Sequence, residues 1–188
     1  MAKKKRKQNK PGSNAPRQQS ATLPTSTSVP SPPGEPSLKI SEGRCALELV
    51  AKVQSSDLSN YQTYLKAAPA QVLLNSLGQA VAIWLMRGRV DDERGRAYRL
   101  MADHLAHWLL RQSRSSPYHS AGAAVRGQDL LQTIHDHSRD QPAAVQNQDY
   151  ACAQELALSF LGSLKKIANA RTLEVSSADV DRQTASST

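Results

Sequence analysis

Five histidines and two cysteines are the residues of this chain best able to break or form bonds, and their spacing decides what they could do. His135 and Asp136 form an HD dipeptide with His137 next to it, while His104 and His107 sit elsewhere. A metal-dependent phosphohydrolase of the HD kind needs two or three histidines and two aspartates converging on one or two ions. His135 and His137 lie two residues apart in a helical pattern, so they point to different sides. His104 and His107 could share a face, but Trp108 adjoins them at a helix end that suits imidazolium without any metal. Isolated His and Asp on helices read as solvent-facing or satisfied within a core, so no metal site is expected. Cys45 and Cys152 are too distant in sequence for a CxxC clip, and no further cysteine completes a zinc site. Both read as buried, reduced small hydrophobes without a neighbouring His, as in a cytosolic protein lacking a targeting segment. No GxxxxGKS, GxGxxG, GxSxG, HExxH or calcium-loop pattern occurs. The expectation is a chain that is not an enzyme and carries no cofactor.

The elements that would position any site are all helical. Residues 71–85, QVLLNSLGQAVAIWL, are the densest apolar stretch. Val72, Leu73, Leu77, Val81, Trp84 and Leu85 form its stripe, with Gln71, Asn75 and Gln79 on another face. The run is too short and too rich in amides to span a membrane, which takes about 20 largely apolar residues. Before it, a first helix runs from an N-cap at Ser41 to about residue 54, with Cys45, Leu49 and Val53 on one face. A second, capped by Asp57 or Ser59, carries Tyr61, Tyr64, Leu65 and Ala68 and ends at Pro69, which opens the core helix that closes at Gly88. A fourth covers about residues 92–112, with Asp91, Asp92 and Glu93 at its positive end and Tyr98, Met101, Leu105, Trp108 and Leu109 as its stripe. After a loop over 113–123, a fifth helix near 126–137 buries Leu130, Leu131 and Ile134. A sixth, with Asp140 as cap and Pro142 in its first turn, holds register through Cys152, Leu156, Phe160, Leu164 and Ile167 to about residue 170. Gly78 costs about 1 kcal/mol relative to alanine inside a helix, so close packing against a neighbour is expected there.

The pattern predicts an all-α fold, a single bundle of about five or six helices over residues 38–171, with disordered N- and C-terminal tails over 1–37 and 172–188. Residues 1–37 hold seven of the ten prolines and only Leu23 and Val29 as sizeable apolar side chains, too little to offset ordering entropy. They also hold seven basic residues against Glu35, so +6 of the net charge of +8 belongs to this segment. The pI near 9.7 therefore describes mostly a tail. Its block AKKKRKQNKP reads as a nuclear localisation signal, a signal-peptide n-region or a polyanion-binding arm. No apolar h-region follows, and the plainest reading is a solvated tail that aids solubility or binds RNA loosely.

Three blocks, ALELVAKVQ, then YQTYLKAAPAQVLLNSLGQAVAIWL with AYRLMADHLAHWL, and finally DYACAQELALSFLGSLKKIANA, resemble the small all-helical Cmr subunit of type III-B CRISPR effector complexes. The resemblance covers about residues 45–170 and omits both tails. The family's Asn-Gly-Leu-Gly-Gln-Ala turn stands here as Asn75, Ser76, Leu77, Gly78, Gln79 and Ala80. Serine is expected to fit almost as closely as glycine against a neighbouring helix. The resemblance implies a non-catalytic structural role in a cytoplasmic, RNA-guided antiviral assembly. Its implied partners are other Cmr-complex subunits, further copies of the chain, guide RNA and target RNA, with no membrane.

Such a subunit needs cations aimed at phosphates rather than a base-reading pocket. The candidates are Arg87 and Arg89 flanking Gly88, Arg96 and Arg99 one turn apart, Lys165 and Lys166 with Arg171 beyond, and Lys52; Lys66 and Arg111 follow. Basic residues near helix C-termini are favoured by the dipole in any case, so Arg87, Lys165, Lys166 and Arg171 have an explanation that needs no RNA. The alternative is a stand-alone helical adaptor whose basic tail binds nucleic acid nonspecifically.

Overall fold

The computed structural model describes residues 37–120 and 125–185, with side chains as far as 174. Six helices are present: α1 (Leu38–Ala51), α2 (Ser55–Asn75), α3 (Leu77–Arg87), α4 (Glu93–His107), α5 (Gly127–Asp140) and α6 (Ala143–Ala185). Among the described residues there is no strand, so the all-α expectation holds. The N-terminal tail of 1–36 lies outside the described residues.

The bundle is organised around α2 and α6. α2 lies against α6, α4 and α3, and α6 also covers α1. Glu42 of α1 accepts hydrogen bonds from Ser159 and Ser163 of α6 (2.8 and 2.5 Å), and further along Arg171 of α6 reaches the Val50 carbonyl. These two helices therefore run in the same direction. Trp84, Trp108, Tyr61, Phe160 and Met101 are fully buried with seven leucines. Trp108 stacks on Phe160 with ring centroids 4.9 Å apart. Alanines at 46, 68, 80, 97, 102, 106, 153, 157 and 168 are wholly covered, which lets helix backbones approach closely where aromatics are scarce.

The structure divides the apolar stretch differently from its periodicity. Pro69 lies inside α2 rather than at its end, and the break falls at Ser76. Leu73 consequently leaves the predicted stripe and stands 64% exposed, as does its neighbour Leu74 at 83%. The two halves are tied across the break: the Trp84 indole N–H donates to Gln71 Oε1 (2.5 Å), and the Gly78 N–H donates to the Tyr150 hydroxyl (2.9 Å). A Cβ on Gly78 would meet Ile134 and Tyr150 at 3.8 and 3.9 Å, ordinary contact distances. Tight packing is therefore not the reason for glycine at 78, which occupies the first turn of α3. Gly95 is different, since a Cβ there would fall 1.9 Å from the Val90 carbonyl oxygen.

Ser76 is the one non-glycine residue at positive φ among the described residues, with φ 68° and ψ 161°. That region is almost reserved for glycine, and holding another residue there costs about 1–3 kcal/mol. The expectation that serine fits here almost as closely as glycine weighed side-chain packing alone, and the cost the structure shows at Ser76 lies in the backbone. Ser76→Gly should raise stability by about 1 kcal/mol, since relief of strain is partly offset by a more flexible unfolded chain. Urea denaturation should show the midpoint moving up with the slope unchanged.

Several boundaries also move. α1 starts after Ser37 rather than Ser41, and Asp57 lies within the first turn of α2 instead of capping it. Asp92 caps α4 as its acidity suggests, its carboxylate accepting from Gly95 N–H at 2.6 Å. α4 ends in a π-helical turn over Trp108–Gln112. Asp140 closes α5, and the first turn of α6 bonds to the Pro142 carbonyl instead. α6 continues to Ala185, past the end near residue 170 that apolar periodicity marks. Residues 171–185 contain no Gly or Pro to stop a helix already nucleated, and propagation is far easier than nucleation.

A candidate nucleic-acid interface along α4

The α4 residues Arg96, Arg99, Leu100 and Asp103 recur at three- and four-residue steps, and with Lys52, Gln54 and Asp57 they line a groove of about 340 Å³. Register carries the same stripe on to His107 and Arg111 in and beyond the last turn of α4. Lys52 and Arg111 both bear on His107, whose pKa is lowered by burial first and then by these two cations. The end of α1, the start of α2 and the length of α4 therefore place Lys52, Arg96 and Arg99 around one groove, with Arg111 in the π turn beyond it.

Their availability differs. Arg96 grips the buried Asp57 carboxylate through Nε to Oδ1 and Oδ2 (3.1 and 3.4 Å) and through Nη2 to Oδ1 (3.1 Å). Arg99 donates to the carbonyls of Gly88 and Val90 and to Asp91, closing the turn between α3 and α4. Arg171 caps α1 through Val50, two residues from Lys52. Arg87 donates to the Tyr98 hydroxyl at 2.9 Å and stands over its ring at 5.4 Å. Lys52, Arg89, Arg111 and Lys166 are exposed, and their side chains make no hydrogen bond or ion pair among the described residues. Lys66 is exposed on α2, whereas Lys165 is half-buried, and neither Lys165 nor Lys166 lines the groove.

The groove also contains acids that sequence reasoning did not place there. Asp57 offsets Arg96, and Asp103 accepts the Gly127 N–H at 2.7 Å. Burial pushes the Asp103 carboxyl above its ordinary range, more than that hydrogen bond lowers it. Register along α4 was the available signal for Asp103, His107 and Arg111, but the Asp57 partnership spans 39 residues and has no local signature.

The histidines are used separately. His104 is buried and shares a 2.7 Å hydrogen bond with the Tyr61 hydroxyl. His137 Nε2 meets Asp149 at 2.8 Å beneath the edge of Tyr118. Asp136 accepts from Gln132 on its own helix, and His135 stands exposed on the wall of a different groove beside Ser76. Among the described residues, no three His, Cys, Asp or Glu side chains gather where they could hold an ion. Both cysteines are free; burial and then Glu48 push the Cys45 thiol up to about 12, and Cys152 is half-buried.

Burial, with smaller contributions from His107 and Lys52, lowers the His104 pKa to about 4. The unfolded chain binds a proton at this residue below about pH 6.5 that the folded chain refuses until about pH 4, so stability falls on acidification through that window. A loss of about 2 kcal/mol between pH 7 and pH 5 is expected from this group. His104→Gln should remove that part of the pH dependence when denaturation midpoints are compared across the range.

A small helical bundle with a charged surface and histidines scattered singly over different elements is the class these features define. Residues 41–171 match the family model described as CRISPR-associated protein (Cas_Cmr5), and the chain belongs to that family as a Cmr-type type III-B CRISPR subunit. The match takes in most of the helical body and leaves out residues 1–40 and 172–188. No curated protein matches the chain. Among the described residues no helix is long and apolar enough to cross a membrane.

Proposed function

We propose that the chain is a non-catalytic structural subunit of a type III-B CRISPR ribonucleoprotein, helping to line and stabilise the channel where target RNA pairs with guide RNA in cytoplasmic antiviral defence. Family membership implies association with the other Cmr subunits. The observation that carries the rest is the cationic groove beside α4, where the exposed Lys52 joins the structurally committed Arg96 and Arg99. Point charges on a rigid helix face suit a phosphate backbone and carry no base preference. Further copies of the chain would repeat that groove along an extended duplex.

Affinity purification from the native host, followed by identification of the retained proteins and RNA, tests this reading. Recovery with Cmr subunits and guide RNA is the expected result. Recovery of the chain alone, with RNA but no protein partner, would favour the stand-alone adaptor.

A further inference from the structure

A second groove, of about 670 Å³, opens between the start of α3 and the outer face of α5. On α5, Gln128, Leu131, Gln132, His135 and Ser138 recur at three- and four-residue steps and form one wall. Ser76, Gly78 and Gln79 form the other. The described residues that line it include no Lys, Arg, Asp or Glu, so a phosphate finds no cation there and a hard metal ion no carboxylate. The Gln79 and Gln128 amides and the His135 ring make no hydrogen bond among the described residues, and Gln132 gives one N–H to Asp136 and keeps its side-chain carbonyl unbonded. Gly78 keeps this groove open. Its backbone is ordinary helix and a Cβ there would stand 3.8 and 3.9 Å from its neighbours, so neither conformation nor packing calls for glycine, which weakens a helix relative to alanine. A side chain longer than a methyl group at 78 would extend over Ile134 into the groove.

We propose that this groove takes an unpaired nucleobase of RNA, with the His135 ring stacked on its face and Gln79, Gln128 and Gln132 hydrogen-bonded to its edge. The choice of RNA as the polymer rests on the reading of the chain as an RNA-holding subunit. A base is flat and uncharged, with donors and acceptors along its rim; an amide offers both, and can turn over to match either order. Bases splayed out of a strand are held in this way elsewhere, stacked on an aromatic or imidazole ring and bonded at their edges. The volume lies within the range of about 300–1,000 Å³ that clefts for small ligands span. A peptide is served less well. Every described element is a helix, which leaves no strand edge for main-chain pairing, and a docking helix needs an apolar floor that only Leu131 and Ile134 supply. The head of α5 also ties the two grooves together: Asp103 of the α4 groove accepts the Gly127 N–H at 2.7 Å, and the next residue, Gln128, lines the second groove. A strand whose phosphates lie along α4 can therefore turn a base in beside α5.

The test titrates the full-length, nitrogen-15-labelled chain with adenosine, with uridine, with ribose 5-phosphate, which has sugar and phosphate but no base, and with a blocked dipeptide amide, while NMR follows the backbone N–H of Gly78 and the side-chain amides of Gln79, Gln128 and Gln132. Both nucleosides should shift these signals with a dissociation constant of about 1 mM, the affinity that one stacked ring and a few hydrogen bonds supply. Ribose 5-phosphate should leave them in place. Gly78→Leu, which fills the groove, and His135→Ala, which changes only an exposed ring, should each weaken nucleoside binding at least about fivefold, whereas Gly78→Ala should retain it. Unmoved signals, equal shifts with ribose 5-phosphate, or undiminished affinity in His135→Ala overturn the proposal. So does binding of the dipeptide amide in preference to the nucleosides, which would mark a protein ligand. Full-length chain is also offered to the other Cmr subunits. Retention by them without nucleoside shifts removes this proposal alone, and nucleoside shifts in a chain they do not retain remove the proposed function alone.

Discussion

Replacing Arg96 with Met should lower the stability of the bundle by about 2–3 kcal/mol. The Asp57 side chain is 4% exposed and Arg96 40%, with two guanidinium nitrogens on the carboxylate. Removing the cation leaves a carboxylate that is largely cut off from water. A wholly buried pair broken from one side loses about 3–5 kcal/mol; partial solvent access at Arg96 and the first-turn position of Asp57 in α2 moderate the loss. Arg96→Met with Asp57→Asn should recover part of it, because no charge is then stranded. Urea midpoints for the two variants check both statements. An unaltered midpoint in Arg96→Met would show that the guanidinium is not holding the fold and is available to phosphate after all.

Changing Lys52, Arg89 and Arg111 together to Gln should do the reverse, leaving stability within about 0.5 kcal/mol because all three are exposed and unpartnered. RNA binding by the assembled complex should weaken by about ten- to a hundredfold near physiological salt, with the salt slope reduced by about 2. The loss should be uniform across target sequences, since contacts to phosphate carry no base information. Filter binding or anisotropy with two unrelated target sequences, each with its matching guide, makes the comparison. A loss confined to one sequence would indicate base readout and contradict contacts limited to phosphate.

The contrast between these two variants marks how far the chain could be read before its structure. Amphipathic spacing located α4, its buried Tyr98, Met101 and Leu105, and the acidic start that Asp92 turns into a cap. It also put Arg96 and Arg99 on one face, where they are. What it could not reveal was that their charge is already in use, because Asp57 and the Gly88 carbonyl arrive from other elements. The break at Ser76 was hidden for a related reason. Apolar residues recur at helical intervals on both sides of it, and one serine in an unusual backbone state leaves no trace in periodicity. Pro69 drew the boundary instead, although the structure carries it within α2. The ends of α6 and the π turn at Trp108–Gln112 depend on packing and on the absence of a stop signal, which apolar spacing does not encode.

On the proposed reading, the chain acts through position and charge within an assembly and performs no chemistry of its own. The most direct measurement reconstitutes the type III-B complex with and without it, then compares target-RNA affinity while assaying the isolated chain for RNA hydrolysis with divalent and transition metals supplied. The account predicts a complex that holds target RNA less tightly when the chain is left out, and no turnover by the chain alone. Metal-dependent cleavage by the isolated chain that is lost in His135→Ala or Asp136→Ala, or a complex that binds target RNA equally well without it, would contradict it.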